Sequence, residues 1–279
     1  MGPYADVLMD RWFKRTFGWG PAKRLLQLFL QELIPERKIV DLSYGPQEHV
    51  NPVDEGKDVR MDVECTDQDG SRFVVEMQLA EQVGFYNRAV FYSAMAVQEQ
   101  IPLGERGFEY SPVYFIGVLN FSIHKGSSQV LYRYSIRENT SNELMTDALQ
   151  YLFLELPNCT RALTPEASVL DNFCYALRNM SKLQERPEGF QGEMFDLLFN
   201  SAKISNFAKA EKEKYFKDMT TKEDIQRMIH FAEEKGEEKG IEKGIEKTAK
   251  AMLEKGYPVA DIAAVTAMSP KAIEALRSI

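Results

Sequence analysis

Histidine and cysteine are scarce in this 279-residue chain and its 34 Lys and Arg fall short of its 42 acids, and each shortage removes a class of function. His49, His124 and His230 stand far apart, which speaks against a histidine-based zinc or HNH-type site. Cys65, Cys159 and Cys174 are odd in number and scattered, so neither a disulfide framework nor a cysteine zinc site is expected. A formal net charge of −8 argues against a general nucleic-acid coat, because neutralising phosphates takes Lys and Arg on the contacting face. No apolar run approaches the ~20 residues of a membrane span, so no membrane partner is expected. The opening "MGPYADVLMDRWFKR" lacks the apolar core of a signal peptide, and the cytoplasm is the expected location. There is no GxxxxGK[ST] loop, hence no expected nucleotide cofactor, and no GxSxG nucleophile elbow.

What remains is ordinary globular material, 44% hydrophobic and 27% charged, long enough for a sizeable core. A local cluster of cations, Arg11, Lys14, Arg15, Lys23, Arg24, Arg37 and Lys38, falls in the first 40 residues. A solvated helix face explains it as simply as a binding patch does. "DVLMDRWFKRTFG" spaces Val7, Leu8, Phe13 and Phe17 as a helix ending at Gly18, "GWGP" breaks the chain, and "AKRLLQLFLQELI" gives a second helix. "RKIVDLSY" reads as a short strand and "GPQEHVNPVDEG" as a turn-rich loop. The stretch "RMDVECTDQDGSRFVVEMQL" then gives two strands joined at a turn. "FYNRAVFYSAMAVQEQI" carries a helical apolar stripe through Phe85, Ala89, Met95 and Ala96, and "PVYFIGVLNF" reads as a buried strand. The order is helix, three strands, helix, strand: an α/β arrangement with a crossover helix and a mixed sheet.

Beyond residue 125 the pattern is plainer. "QVLYRYSI" and "LQYLFLEL" offer further strands; "EASVLDNFCYALRNM", "GEMFDLLFNSA" and "NFAKAEKEKYFKDM" offer helices. No chemical constellation shows there. The expected organisation is a core over residues 1–125, a supporting mixed or helical extension over 126–220, a charged segment over 221–248 and a small helical tail over 249–279. The charged segment repeats Glu-Lys-Gly with period four, with glycines at 236, 240 and 244. Each glycine costs a helix about 1 kcal/mol relative to alanine, so a marginal helix or a linker both fit. Packing of two such segments along their glycines would make a homo-oligomer. In the tail, Gly256, Pro258 and the pair Ser269–Pro270 mark the ends of three short helices. The third of these helices offers only Lys271 and Arg277, so docking or oligomerisation suits the tail better than reading DNA.

The strand pair carries the chemistry. Alternation puts Met61, Val63 and Cys65 on one face and Asp62 and Glu64 on the other; Val74, Glu76 and Gln78 share a face of the second strand. A loop centred on Asp69 sets Asp62 directly across from Glu76, with Cβ atoms about 5 Å apart. Like charges in that position repel unless something offsets them, and a divalent cation would do so. Carboxylate oxygens suit Mg²⁺ or Mn²⁺, which serve phosphodiester hydrolysis. A simple wet face would show the same alternation. Against that, the face has no Lys, carries Val74, and is followed by a helix with Arg88 and Tyr92 one turn apart, placed to reach phosphate.

These pieces together, "DRWFK" (Asp10, Phe13, Lys14), "MDVEC" (Asp62), "VEMQ" (Glu76, Gln78), "YNRAVFY" (Arg88, Tyr92) and the Glu-Lys-Gly run with its helical tail, resemble the Rpn family of recombination-promoting nucleases. These are also described as PD-(D/E)XK nuclease family transposases. The resemblance covers residues 5–125 and about the last 65. It implies a PD-(D/E)XK restriction-endonuclease-like core with a mainly helical C-terminal part, in a bacterial Mg²⁺- or Mn²⁺-dependent DNA endonuclease of recombination or transposase type. Carried over, Asp62 and Glu76 are metal ligands with the Met77 carbonyl as a third, and Asp10 is the acid of the first helix. Gln78 takes the place of the superfamily lysine; an amide can orient water but brings no charge, which leaves Lys14 or Arg88 to supply it. Lys14, Arg88 and Tyr92 are the expected DNA-phosphate contacts. The competing expectation is a nuclease-fold protein, weak or inactive in catalysis, that binds DNA or a protein as an oligomer.

Overall fold

The computed structural model describes residues 2–18, 22–45, 48–49, 59–101 and 107–276. The break expected at "GWGP" beyond Gly18, most of the turn-rich loop and Arg277 lie outside the described residues. Two units are distinct, residues 1–207 and residues 208–279.

In the first unit, α1 (Asp10–Phe17) and α2 (Lys23–Leu33) bury Trp12, Phe13 and Phe17 and Leu25, Leu26, Phe29, Leu30 and Leu33. Val7 and Leu8 are buried too, but in the turn that precedes α1 rather than in the helix expected there. The expected strand over 37–44 pairs only at β1 (Leu42–Tyr44). A two-residue pair, β2 (Glu48–His49) with β3 (Val59–Arg60), precedes the main hairpin. That hairpin is β4 (Val63–Asp67) and β5 (Arg72–Gln78). The crossover helix α3 (Phe85–Gln98) leads to β6 (Val113–Leu119), which runs parallel to β5. β7 (Leu131–Arg137) and β8 (Leu144–Glu155) follow, and β8 lies parallel to β6.

The result is one mixed sheet of six strands in the order β1-β4-β5-β6-β8-β7. The boundary expected at residue 125 thus falls between strands that are hydrogen-bonded neighbours: β6 lies before it and β8 after it. "LQYLFLEL" is buried from Leu152 onward and pairs along its length with β6, which is why it belongs inside the sheet rather than to a separate extension.

Alternation sorts the strands' side chains between two cores. Val63, Cys65, Phe73, Val75, Ile116, Val118, Leu152 and Leu154 pack with α1, α2, α4 (Val169–Asn179) and α5 (Glu193–Ala202). Val74, Phe115, Leu119 and Phe153 pack on the other face, against Phe85, Ala89 and Ala96 of α3. Met61 joins this second core, contrary to the face expected from alternation with Val63. The reason is local: the ladder begins at Val63, and Met61 and the bend at Asp62 precede it. Gly117 lets α3 sit close. A Cβ there would come within 2.9 Å of the Phe85 ring and 3.1 Å of Phe153.

In the second unit, α6 (Lys209–Glu254) runs unbroken for 46 residues, about 69 Å at the helical rise. The charged Glu-Lys-Gly segment is therefore helix rather than linker, and the expected boundaries at 220 and 248 fall inside it. Gly256, at φ +79°, turns the chain out of α6. Pro258 precedes α7 (Val259–Thr266), and Ser269 caps α8 (Pro270–Ala275) by accepting from the Ala272 N–H. Ala249, Ile262 and Ile273 form their small common core.

Candidate active site on the second sheet face

The β4–β5 register pairs Val63 with Val75 and Cys65 with Phe73, so the loop centres on Asp69 as the sequence predicts. One residue beyond the ladder, Asp62 meets Glu76, and each carboxylate is held by backbone on the other side. The Asp62 N–H donates to Glu76 Oε1 at 2.9 Å, and the Met77 N–H donates to Asp62 Oδ2 at 2.9 Å. Both residues are buried. Each acid thus spends one oxygen on the exchange and keeps one, Asp62 Oδ1 and Glu76 Oε2, for something else.

Part of that something is Lys14. Its ammonium lies 3.1 Å from Asp62 Oδ1 and 2.9 Å from Asp10 Oδ1. Asp10 itself is exposed and reaches the site only through Lys14. Burial pushes the Lys14 ammonium down, but its hydrogen bonds and charge pairing with Asp10 and Asp62 outweigh this and hold it above its ordinary range.

One ammonium does not settle two buried acids. Burial raises the Asp62 carboxyl, against the lowering pull of the Met77 N–H and Lys14. Burial also raises the Glu76 carboxyl, and the charge of Asp62 adds to it, while the Asp62 N–H and the charges of Arg88 and Lys14 pull the other way. The pair holds more negative charge than its surroundings accommodate.

Glu64, the third acid of this face, does not join them. Its Oε1 accepts from Arg72 Nη1 at 3.3 Å, and Arg72 also reaches Glu99 Oε2 at 2.9 Å. Arg72 has the same strand parity as Val74 and Glu76, so the face does carry a balancing cation, at the end away from Asp62. Gln78 is buried on the same face, but among the described residues it makes no hydrogen bond to either carboxylate.

α3 brings Arg88 and Tyr92 alongside. Arg88 Nη1 donates to Gln82 Oε1 at 3.0 Å and the guanidinium stands 5.8 Å from the Phe85 ring centre. Its Nε and Nη2 are buried and have no hydrogen-bond partner among the described residues. Burial, followed by the charge of Glu76, raises the Tyr92 phenol. The structure thus brings together Asp62, Glu76, Lys14, Arg88 and Tyr92, with Asp10 one contact removed.

The residues suit a hard divalent cation. Mg²⁺ is commonly held by one or two carboxylates, with water and phosphate oxygens completing its shell. Glu76 Oε2, together with the Asp62 Oδ1 that Lys14 now pairs, fits that description, and among the described residues no group of three or more His, Cys, Asp or Glu offers a richer cage. The Gln78 carbonyl accepts from Asn120 on the β6 side, so the N–H and C=O of Met77 both point to the Asp62 side.

A second constellation was missed in the sequence. His124 Nδ1 lies 2.6 Å from Glu155 Oε1, and Asn158 Nδ2 donates to Glu155 Oε2 at 2.8 Å. Ser122 Oγ donates to Asn158 Oδ1 at 2.6 Å, and Tyr134 Oη is 2.8 Å from His124 Nε2. His124 is therefore not isolated. The available signal was Glu155 itself, an acid in an apolar strand at the same parity as Phe153.

Comparison with known proteins gives one match. The family described as PD-(D/E)XK nuclease family transposase covers residues 7–232, well over half of the chain. No curated protein and no solved structure matches. Among the described residues no helix is long and apolar enough to cross a membrane.

Proposed function

Because the chain belongs to the PD-(D/E)XK nuclease family transposases, we propose that it is a metal-dependent DNA endonuclease of the recombination or transposase-associated type. One observation carries the reading: two buried acids repel each other at a point where their second oxygens, Glu76 Oε2 and the Lys14-paired Asp62 Oδ1, are not held by backbone. Asp62, Glu76 and the Met77 carbonyl would hold Mg²⁺ or Mn²⁺. Such an ion would polarise a phosphoryl oxygen and lower the pKa of a water bound to it, supplying a nucleophile at neutral pH.

The chain's own residues do the rest. Gln78, on the same face, orients the attacking water through its amide. Lys14 supplies the positive charge that Gln78 lacks, from α1 rather than from β5, and stabilises the charge that develops on the phosphorus oxygens. The two unpartnered nitrogens of Arg88 suit the adjoining phosphate, with Tyr92 beside them. Asp10 keeps Lys14 protonated and in place.

Nicking of supercoiled plasmid tests this. We expect cutting with Mg²⁺ or Mn²⁺, none with EDTA, and none from Asp62→Ala or Glu76→Ala. Cutting that survives in both variants would remove the pair from the reaction. One observation favours a second reading, a weak or inactive binding protein: Lys14 already neutralises one free oxygen without any cation. Folded wild type that binds DNA but never cuts it would establish that reading. In either case α6, with glycines at 236, 240 and 244 opening onto free space, is the proposed route to a homo-oligomer.

A further inference from the structure

The His124–Glu155 chain lies on the same face of the sheet as the proposed nuclease site. Register aligns Gln78 of β5 with Leu119 of β6 and Leu119 with Glu155 of β8. Two strand spacings separate Gln78 from Glu155, roughly 10 Å. Glu155 is fully buried, and both its oxygens are hydrogen-bonded, Oε1 by His124 and Oε2 by Asn158. With Nδ1 protonated toward that carboxylate, His124 Nε2 accepts from the Tyr134 phenol. The Tyr134 ring in turn stands edge-on to the Tyr86 ring, with 6.3 Å between their centres. The chain of contacts thus starts at a buried carboxylate and ends at an aromatic ring that is 45% exposed.

Tyr86 faces a groove at the start of α3. One lobe, of about 500 Å³, is lined by Tyr86, Phe121, Ile123 and Glu81. A second lobe, of about 650 Å³, is lined by Arg88, Phe91 and Tyr92. Gln82, Val83, Gly84, Phe85 and Asn87 are common to both. The two lobes differ in charge. The second holds the unpartnered guanidinium nitrogens and suits a phosphate. The first holds Glu81, which repels a phosphate, together with aromatic surface and the amides of Gln82 and Asn87.

We infer that the first lobe is a subsite for one unpaired nucleobase of the DNA strand, with Tyr86 as its stacking surface. The inference rests on the nuclease reading and adds to it a substrate class: DNA with a base out of the duplex, next to the phosphate in the Arg88 lobe. An exposed aromatic ring stacks any base, and side-chain amides match base edges with one donor and one acceptor each. Ring contacts with Phe153 and with Tyr134, itself held by His124 and Glu155, brace the Tyr86 ring before the base arrives, so little freedom is lost on binding. His124 and Glu155 are positioning residues, acting through Tyr134 on Tyr86.

The test uses the full chain in EDTA, so that binding is read without cutting. The probes are a plain duplex and the same duplex with a single unpaired 2-aminopurine, whose fluorescence is quenched when it stacks. We expect the wild type to prefer the unpaired probe and to quench it. Tyr86→Ala should abolish the quenching and weaken binding of that probe by roughly 5- to 150-fold, the worth of one base–aromatic stack. Tyr86→Phe, which keeps the ring, should retain both quenching and affinity, whereas Tyr134→Ala, which removes the ring that braces Tyr86, should retain quenching with intermediate affinity. Equal affinity for the two probes, or quenching that persists in Tyr86→Ala, would overturn the subsite while plasmid nicking stood untouched. Tyr134→Ala indistinguishable from the wild type would overturn the positioning role of Tyr134, His124 and Glu155. Failure to bind either probe would instead count against a DNA substrate altogether.

Discussion

Glu76 and Glu155 are buried acids on one face of one sheet, with a single strand between theirs, yet they are met in opposite ways. Glu155 receives hydrogen bonds on both oxygens from His124 and Asn158. Glu76 receives one, from the Asp62 N–H, and faces a second acid. Burial alone therefore does not mark a reactive carboxylate. What marks it is burial with valence left over, since a fully satisfied network rigidifies its surroundings and a half-satisfied one draws in a ligand.

The largest expected effect separates the two regions by activity. Asp62→Ala or Glu76→Ala should lower metal-dependent cutting on the order of 10³-fold or more, since each removes a cation ligand. Lys14→Ala should cost about 10²-fold, with part restored in Lys14→Arg, because the missing element is charge rather than shape. A plasmid-nicking time course reads both. If Lys14→Ala cuts as fast as the wild type, the charge comes from elsewhere, and Arg88 is the remaining neighbour of Glu76.

How much of this was legible beforehand depended on how local each relation is. The Asp62–Glu76 pairing follows from a turn centred on Asp69 and strict alternation, both short-range, and the observed register agrees. Met61 escaped because it lies outside the ladder that alternation describes. Arg72 was within reach of the same rule, two residues before Val74 on the same face. The His124–Glu155 contact spans 31 residues and three separate segments, so no spacing rule could place it. Glu155 in "LQYLFLEL" was nonetheless a sign that a partner must exist. The α6 helix shows the opposite limit: its glycines lower local propensity, but helix runs through them over 46 residues.

Stability sharpens the contrast at smaller scale. Glu155→Gln puts an amide N–H2 among groups that already donate, so it should destabilise by about 2 kcal/mol. That is a fall in melting temperature of about 4–8 °C for a unit of this size. Glu76→Gln keeps the acceptor for the Asp62 N–H and removes a like charge. In EDTA it should raise stability by roughly 0.2–1 kcal/mol. Thermal melts of the two variants should move in opposite directions; movement in the same direction would erase the distinction drawn between the two acids.

The smallest expected effect is the pH slope. Burial, with mutual repulsion adding to it at Glu76, raises both carboxyls of the pair in the folded chain. The folded state then keeps protons that the unfolded chain has released at the same pH. The pair's contribution to stability in EDTA is full below the ordinary carboxylate range, about 4, and is lost as pH climbs through the raised folded values. Glu76→Gln should flatten that slope, and a saturating divalent cation should do the same in the wild type. Melting curves across the acid-to-neutral range, with and without Mn²⁺, would show it.

The most direct measurement is Mn²⁺ binding to the full chain at neutral pH, followed by the loss of the free-ion signal in electron paramagnetic resonance. Wild type, Glu76→Gln and Glu155→Gln would be compared in the absence of DNA. One bound ion per chain is expected in the wild type and in Glu155→Gln, and none in Glu76→Gln. No bound ion in the wild type, or equal binding in all three, would contradict the claim that the unsatisfied pair exists to hold a cation.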